Sequence, residues 1–285
     1  MQAFLTTRQN DLLTLPESVA LSTALDAALE SAETVIISIG SQSLRSLLGQ
    51  SELQALRNRT VVLCMKGLEM GTGARLSQIA SELLHPSNTV AVWLGPGHVQ
   101  EFYRGIPNCM VIDSRREDVK RRLVQSFSSD LIRFYYGDDL IGNEVGAAAK
   151  NVVGIAAGFL DGKGLSSLKG ALMSRGTREV ARLIQAMGGS QLSTYGLCHL
   201  GDYEATVFSR YSHNRQFGES FIRGETYTDL AEGYYTVEAL VLLGQRYGVE
   251  LPICQAVHRV LYCGADPMQE LRALLDRNLT REFGE

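Results

Sequence analysis

Residues 144–162 read EVGAAAKNVVGIAAGFLDG. At 100° per residue, Val145, Ala149, Val152, Ala156 and Phe159 fall on one stripe, the pattern of a helix packed on a core. Lys150 projects away from that stripe. Its own face carries Gly146, Ala147, Gly154 and Ala157, which are too small to fill space, so another backbone or a ligand can come close. No acidic residue stands a turn away to pair with the ammonium. Burying a charge without a partner is costly, and burial lowers a lysine pKa. Two readings stand. Lys150 either snorkels past a helix contact into water, or is held desolvated for chemistry.

On either side of this helix the pattern differs. Upstream, short β-branched runs occur at Thr34–Gly40, Thr60–Gly67, Thr89–Gly95 and Cys109–Asp113, with helical segments such as GARLSQIASELL between several of them. Continuous apolar strands joined by helices predict a parallel sheet covered on both faces. Downstream, LKGALMSRGTREVARLIQAMG, TVEALVLLGQRYG, PICQAVHRVLYCG and DPMQELRALLDRN all carry helical periodicity, several with Pro or Asp starts and Gly stops. The expectation is a Rossmann-like parallel-sheet domain over residues 1–137 and an all-helical domain over residues 138–285, which the Lys150 helix opens.

Composition narrows the function classes. A net charge of −4 with 20% charged residues offers no broad basic surface, so neither a nucleic-acid nor a membrane partner is expected. No apolar run reaches the roughly 18 residues a membrane span needs. Cys64, Cys109, Cys198, Cys254 and Cys263 form no close pair and read as reduced thiols of a cytoplasmic protein. Five dispersed histidines show no ligand spacing, and no metal site is expected.

In an open α/β sheet, ligands sit beyond the carboxyl ends of the strands. Two strand ends there carry a G-x-G, in MKGLEMGTG and in GPGHVQE. Neither completes G-x-G-x-x-G, because Leu76 and Gln100 hold the last position, so both read equally as tight turns. Lys66, directly after its strand, points a cation toward the crevice or into solvent.

Taken together, MKGLEMGTG, GPGHVQEFYRGIP, the lysine helix, LGDYEATVFSRYSHNRQFG and LAEGYYTVEALVLLGQRYGVELPICQAVHRVLYCGADP resemble the NAD(P)-dependent glycerol-3-phosphate dehydrogenases of bacterial type, from about Leu15 to the C-terminus. The resemblance implies a dinucleotide-binding sheet domain and a helical domain of the 6-phosphogluconate-dehydrogenase type, with the active site between them, in a homodimer. It also implies reduction of dihydroxyacetone phosphate to sn-glycerol 3-phosphate by NADH or NADPH for glycerolipid synthesis.

Residue by residue, Lys150 falls on the family's acid/base and Asp202 on an active-site aspartate that orients it. Asn151, Thr206, Gly95 and Gly97 fall on substrate contacts, and Lys66 lies between substrate and nicotinamide. Ser212, His213, Asn214 and Arg215 align with the phosphate and cofactor clamp. Val99, Leu230 and Glu232 align with cofactor contacts.

Two departures stand out. His213 occupies an arginine position, and an imidazole does not replace a five-donor guanidinium on phosphate. The family's opening G-x-G-x-x-G unit is also absent, the first glycine being Gly40. That unit is expected upstream of Met1; without it the chain is expected to bind reduced cofactor weakly and to show little or no turnover, with Thr34–Gly40 left as an unpaired apolar edge. The alternative is a cofactor-deficient relative that keeps a phosphate-ligand pocket for binding or regulation.

Overall fold

Each of the four β-branched runs forms a strand in the computed structural model of the chain, which describes residues 2–10 and 13–277. They are β1 (Thr34–Ile37), β2 (Thr60–Leu63), β3 (Thr89–Leu94) and β4 (Asn108–Ser114). A fifth strand, β5 (Ile132–Tyr136), completes a sheet of order β1-β2-β3-β4-β5. β2 is buried along its whole length, which is why it reads as an unbroken apolar run.

β5 escaped the sequence reading because only Phe134 is buried, while Arg133, Tyr135 and Tyr136 face solvent at the sheet's edge. The sheet is also not parallel throughout. β1–β2, β2–β3 and β4–β5 pair parallel, but β3 and β4 pair antiparallel, with Trp93 opposite Ile112. The cause lies in the connection. Its short helix, Val99–Tyr103, buries no residue and so does not lie across a sheet face as a parallel crossover would. Among the described residues β1 pairs only with β2, and Ile36 is 44% exposed.

The sheet is covered on both faces. Leu44, Leu48, Leu76 and Ile79 pack on one side with Val61, Leu63 and Val92. Val119 and Leu123 of the helix Glu117–Phe127 pack on the other, over Val62, Ala91 and Ile112.

The lysine helix spans Leu140–Gly162, and the Asp139 side chain caps it by accepting from the Gly142 N–H at 2.9 Å. Every residue from Gly142 to Leu160 is buried. Val145, Ala149, Val152, Ala156 and Phe159 join one core with Leu183, Val237, Leu240 and Val257 of later helices. The small-residue face is covered as well, by His199 at Gly146, by Thr206 and Asn214 at Gly154, and further along by the helix His213–Arg223, which the sequence reading left as a motif without structure. A Cβ on Gly158 would collide with the Arg215 carbonyl, and one on Gly218 with the Ile155 carbonyl, so these two helices meet backbone to backbone.

Candidate active site

The small face of the lysine helix determines what Lys150 can touch. Across it stands the segment 199–214, which passes through one 3₁₀ turn (Leu200–Asp202) and a π-helical turn (Glu204–Phe208) before the helix His213–Arg223. Such wide turns often occur at functional sites. Lys150 Nζ donates to Thr206 Oγ1 at 2.6 Å and lies 3.2 Å from Asp202 Oδ2. The same carboxylate oxygen accepts from Lys66 Nζ at 2.7 Å. One acid therefore bridges two ammoniums, and the missing partner of Lys150 lies 52 positions away in sequence.

Lys150 is 5% exposed and Asp202 1%. Burial pushes the Lys150 pKa down to about 8; Asp202 opposes that shift, and the Lys66 charge adds to it. Lys66 also donates to the Gly95 carbonyl at 2.5 Å, and Asn151 Nδ2 donates to the Lys66 carbonyl at 2.9 Å, fixing this strand end against the helix. Further out, Asn214 Oδ1 accepts from the Gly233 N–H at 2.8 Å. Glu232 accepts from the Ser41 N–H at 2.7 Å and also from its hydroxyl, joining the loop after β1 to the helix Glu232–Tyr247.

These groups line a cleft of about 310 Å³ at the carboxyl ends of β1, β2 and β3. Lys66, Lys150, Asn151 and Asp202 form its polar floor, with Thr206 beside them. Ile39 and Leu230 contribute apolar wall, and Ser212, His213, Asn214 and Glu232 lie along the same cleft. A larger open depression between Leu29 and Leu56 is ringed by Asp26, Glu30, Glu52 and Arg57, all surface charges.

Residues 2–120 match the family described as NAD-dependent glycerol-3-phosphate dehydrogenase N-terminus, and residues 139–272 match its C-terminus. The chain belongs to the NAD-dependent glycerol-3-phosphate dehydrogenase family. Among curated relatives, "Glycerol-3-phosphate dehydrogenase [NAD(P)+]" of Thermus thermophilus is 38% identical over 264 residues, covering 90% of this chain and 80% of the relative. The protein of that name from Chlorobium limicola is 33% identical over 277 residues, covering 94% and 83%. The crystal structure of glycerol-3-phosphate dehydrogenase from Coxiella burnetii superposes with a TM-score of 0.90 at 27% identity, covering 97% of this chain and 88% of that one.

Within this glycerol-3-phosphate dehydrogenase fold, most of the residues singled out by sequence converge on the cleft, but three stand apart from its lining. The Arg215 guanidinium is held by Asp161 at 3.0 Å, Glu219 at 2.8 Å and the Ser209 carbonyl at 3.2 Å. Its guanidinium is engaged in that network, and Arg215 is not among the residues that line the cleft. Val99 is 55% exposed on the short surface helix, and Gly95 contributes its carbonyl to Lys66 rather than a surface to the cleft. Gly97 does line the cleft, at φ 140°, where a Cβ would strike the Phe102 ring.

Thr206 and Ser212 are buried partners of this site rather than surface polar groups. The Ser212 side chain also caps the helix His213–Arg223, accepting from the Arg215 N–H at 3.3 Å. His213 is more exposed. Its Nδ1 lies 2.8 Å from the Tyr227 hydroxyl and 3.8 Å from Asp229.

Sequence reasoning missed His98 and Ser41. His98 lines the cleft, with Nε2 3.0 Å from the Ala205 carbonyl, and desolvation lowers its pKa. It follows Gly97 at a strand end, a position that could have flagged it. Nothing local could have paired Ser41 with a glutamate 191 positions away.

Proposed function

We propose that the protein interconverts dihydroxyacetone phosphate and sn-glycerol 3-phosphate with NADH or NADPH, supplying glycerol phosphate for phospholipid synthesis. The observation that carries this reading is the buried Lys150, paired to Asp202 and Thr206 on the floor of a cleft at the strand ends. The residues present fit the nicotinamide end of a dinucleotide. Ile39 and Leu230 provide apolar wall for a flat ring, while Lys66, Asn214 and Glu232 provide polar groups around it. Bound there, the reduced nicotinamide supplies the hydride that the ketone carbon receives.

The chain's own contribution is to hold the substrate and move one proton. Adding a hydride to the ketone carbon leaves negative charge on its oxygen. Lys150, desolvated and preorganised, stabilises that charge and delivers its proton to the oxygen. In the oxidation direction, neutral Lys150 removes the proton from the same hydroxyl. Asp202 and Thr206 hold Nζ in place, and Lys66 and Asn151 fix the adjacent wall. Residues 1–137 as the sheet domain and 138–285 as the helical domain belong to the same proposal, as do a homodimer and a cytoplasmic location. Among the described residues no helix is long and apolar enough to cross a membrane. The family resemblance supports the dimer, which light scattering on the purified protein would test.

Two expectations follow from the site. With Lys150 at about 8, ketone reduction needs its protonated form, so reduction should fall as pH rises through about 8 while oxidation gains. A flat profile in both directions between mildly acidic and mildly alkaline buffer would remove Lys150 from the proton transfer. The second concerns phosphate. With Arg215 engaged by Asp161 and Glu219, His213 is the cleft residue at the clamp position, and an imidazole offers phosphate fewer donors than a guanidinium. His213→Arg should therefore lower KM for dihydroxyacetone phosphate, because the guanidinium brings a permanent charge and a fork of donors to the phosphate. An unchanged KM in the variant would take His213 out of phosphate binding.

The direct test of the activity is NADH or NADPH consumption with dihydroxyacetone phosphate against unphosphorylated dihydroxyacetone. Turnover restricted to the phosphorylated ketone supports the proposal. Saturable phosphate-ligand binding without turnover would favour the binding or regulatory alternative.

A further inference from the structure

Directly behind the Lys150–Asp202 pair lies a buried polar chain with no role so far. His199 is 0% exposed and Tyr203 1%, and they flank Asp202 on either side in sequence. His199 Nδ1 is 2.8 Å from the Gly146 carbonyl, one helical turn before Lys150. His199 Nε2 is 2.8 Å from the Tyr203 hydroxyl, and Thr177 Oγ1 lies 3.3 Å beyond that.

The bond directions are forced. A carbonyl only accepts, so Nδ1 carries the proton. Nε2 must then accept, and the Tyr203 O–H donates to it. The Tyr203 oxygen is left to accept from Thr177. Protonating His199 would reverse that bond and turn the Tyr203 O–H toward Thr177, and burial holds the His199 pKa down to about 4, against that outcome.

We propose that His199 and Tyr203 are positioning residues, a neutral brace that clamps the turn Leu200–Asp202 to the Lys150 helix and so keeps Asp202 within reach of Lys150. The proposal rests on the reading of Lys150 as the proton donor. Asp202 sits asymmetrically, 2.7 Å from Lys66 and 3.2 Å from Lys150. If the turn loosens, the carboxylate is expected to stay with Lys66, the tighter partner, and Lys150 loses the carboxylate that favours its charge. The other groups facing Lys150 do not compensate. Lys66 is a like charge, and the buried Cys198 thiol, pushed up to about 12, stays neutral. His98 and His199 are both held toward their neutral forms.

The test breaks the same bond from each end. Tyr203→Phe removes the donor but keeps the ring, and His199→Asn keeps an amide donor for Gly146 while losing the contact to Tyr203. Both variants are expected to lower kcat by about tenfold, the scale of a small displacement of catalytic groups, with cofactor KM little changed. Both should also move the alkaline limb of ketone reduction to lower pH by roughly half a unit or more, since Lys150 has lost an opposite charge. Thr177→Val, which loosens only the outer end, should leave that limb in place.

A second readout is independent of turnover. The pH dependence of Lys150 carbamylation by cyanate, followed by mass spectrometry, should shift in the same direction in both variants. A merely structural role would lower stability or the folded fraction and leave both pH profiles where they are; that result overturns the proposal. If the wild-type protein shows no turnover while cyanate reports the shift, the brace stands and the assigned reaction falls.

Discussion

Lys150→Met is expected to lower turnover with dihydroxyacetone phosphate by at least about a hundredfold, the lower range for losing a general acid. Methionine keeps much of the length and apolar character of the stem and removes only the ammonium. The fold should survive, because Lys150 sits on the small-residue face and adds nothing to the apolar stripe of its helix. Substrate KM should change much less than kcat, since the lost interaction is strongest when negative charge builds on the ketone oxygen. The variant also removes one of the two ammoniums on Asp202, and Lys66 at 2.7 Å remains to pair with it. Steady-state kinetics on the folded variant decide the matter. Near-wild-type turnover would show that another group delivers the proton.

Glu144→Ala should produce the largest loss of stability. Glu144 and Arg75 are each 5% exposed, and their side chains meet at 2.5 Å between the lysine helix and the N-terminus of the helix Leu76–Leu83. The carboxylate also accepts from the Ser77 N–H at 2.8 Å and the Ser77 hydroxyl at 2.6 Å. Removing it strands a buried guanidinium and two donors, which costs about 3–5 kcal/mol. Urea unfolding of wild type and variant would measure this. The double variant Arg75→Met/Glu144→Leu should recover much of the loss, because it leaves no uncompensated charge. A single-variant loss below about 1 kcal/mol would mean that the pair is solvated and does not tie the sheet side to the helix.

The positions of β1–β4 and of the main helices follow from local pattern. Thr60–Leu63 is apolar without interruption because both sides of β2 are covered, and Val145 to Phe159 repeat at helical spacing because one stripe meets the core. β5 carried no such signal, since a half-exposed edge strand of Arg, Phe and Tyr satisfies neither pattern. The reversal between β3 and β4 was equally hidden. It depends on where a short helix lies, which periodicity does not encode.

The site divides in the same way. Lys150 announced itself by sequence alone, as a charge on a face of glycine and alanine, and family resemblance carried Asp202, Lys66 and Asn214 to the same cleft. Tertiary structure alone decided which of the aligned residues act together. It brought Asp202 between two lysines 84 positions apart, joined Glu232 to Ser41, and turned Arg215 onto Asp161 and Glu219 although its motif position pointed to the ligand. The reason is physical. A residue's type and its helical phase are local properties that the sequence displays. The partner that satisfies a buried charge comes from whichever segment the packing of glycine faces brings close, and that choice is made only when the chain folds.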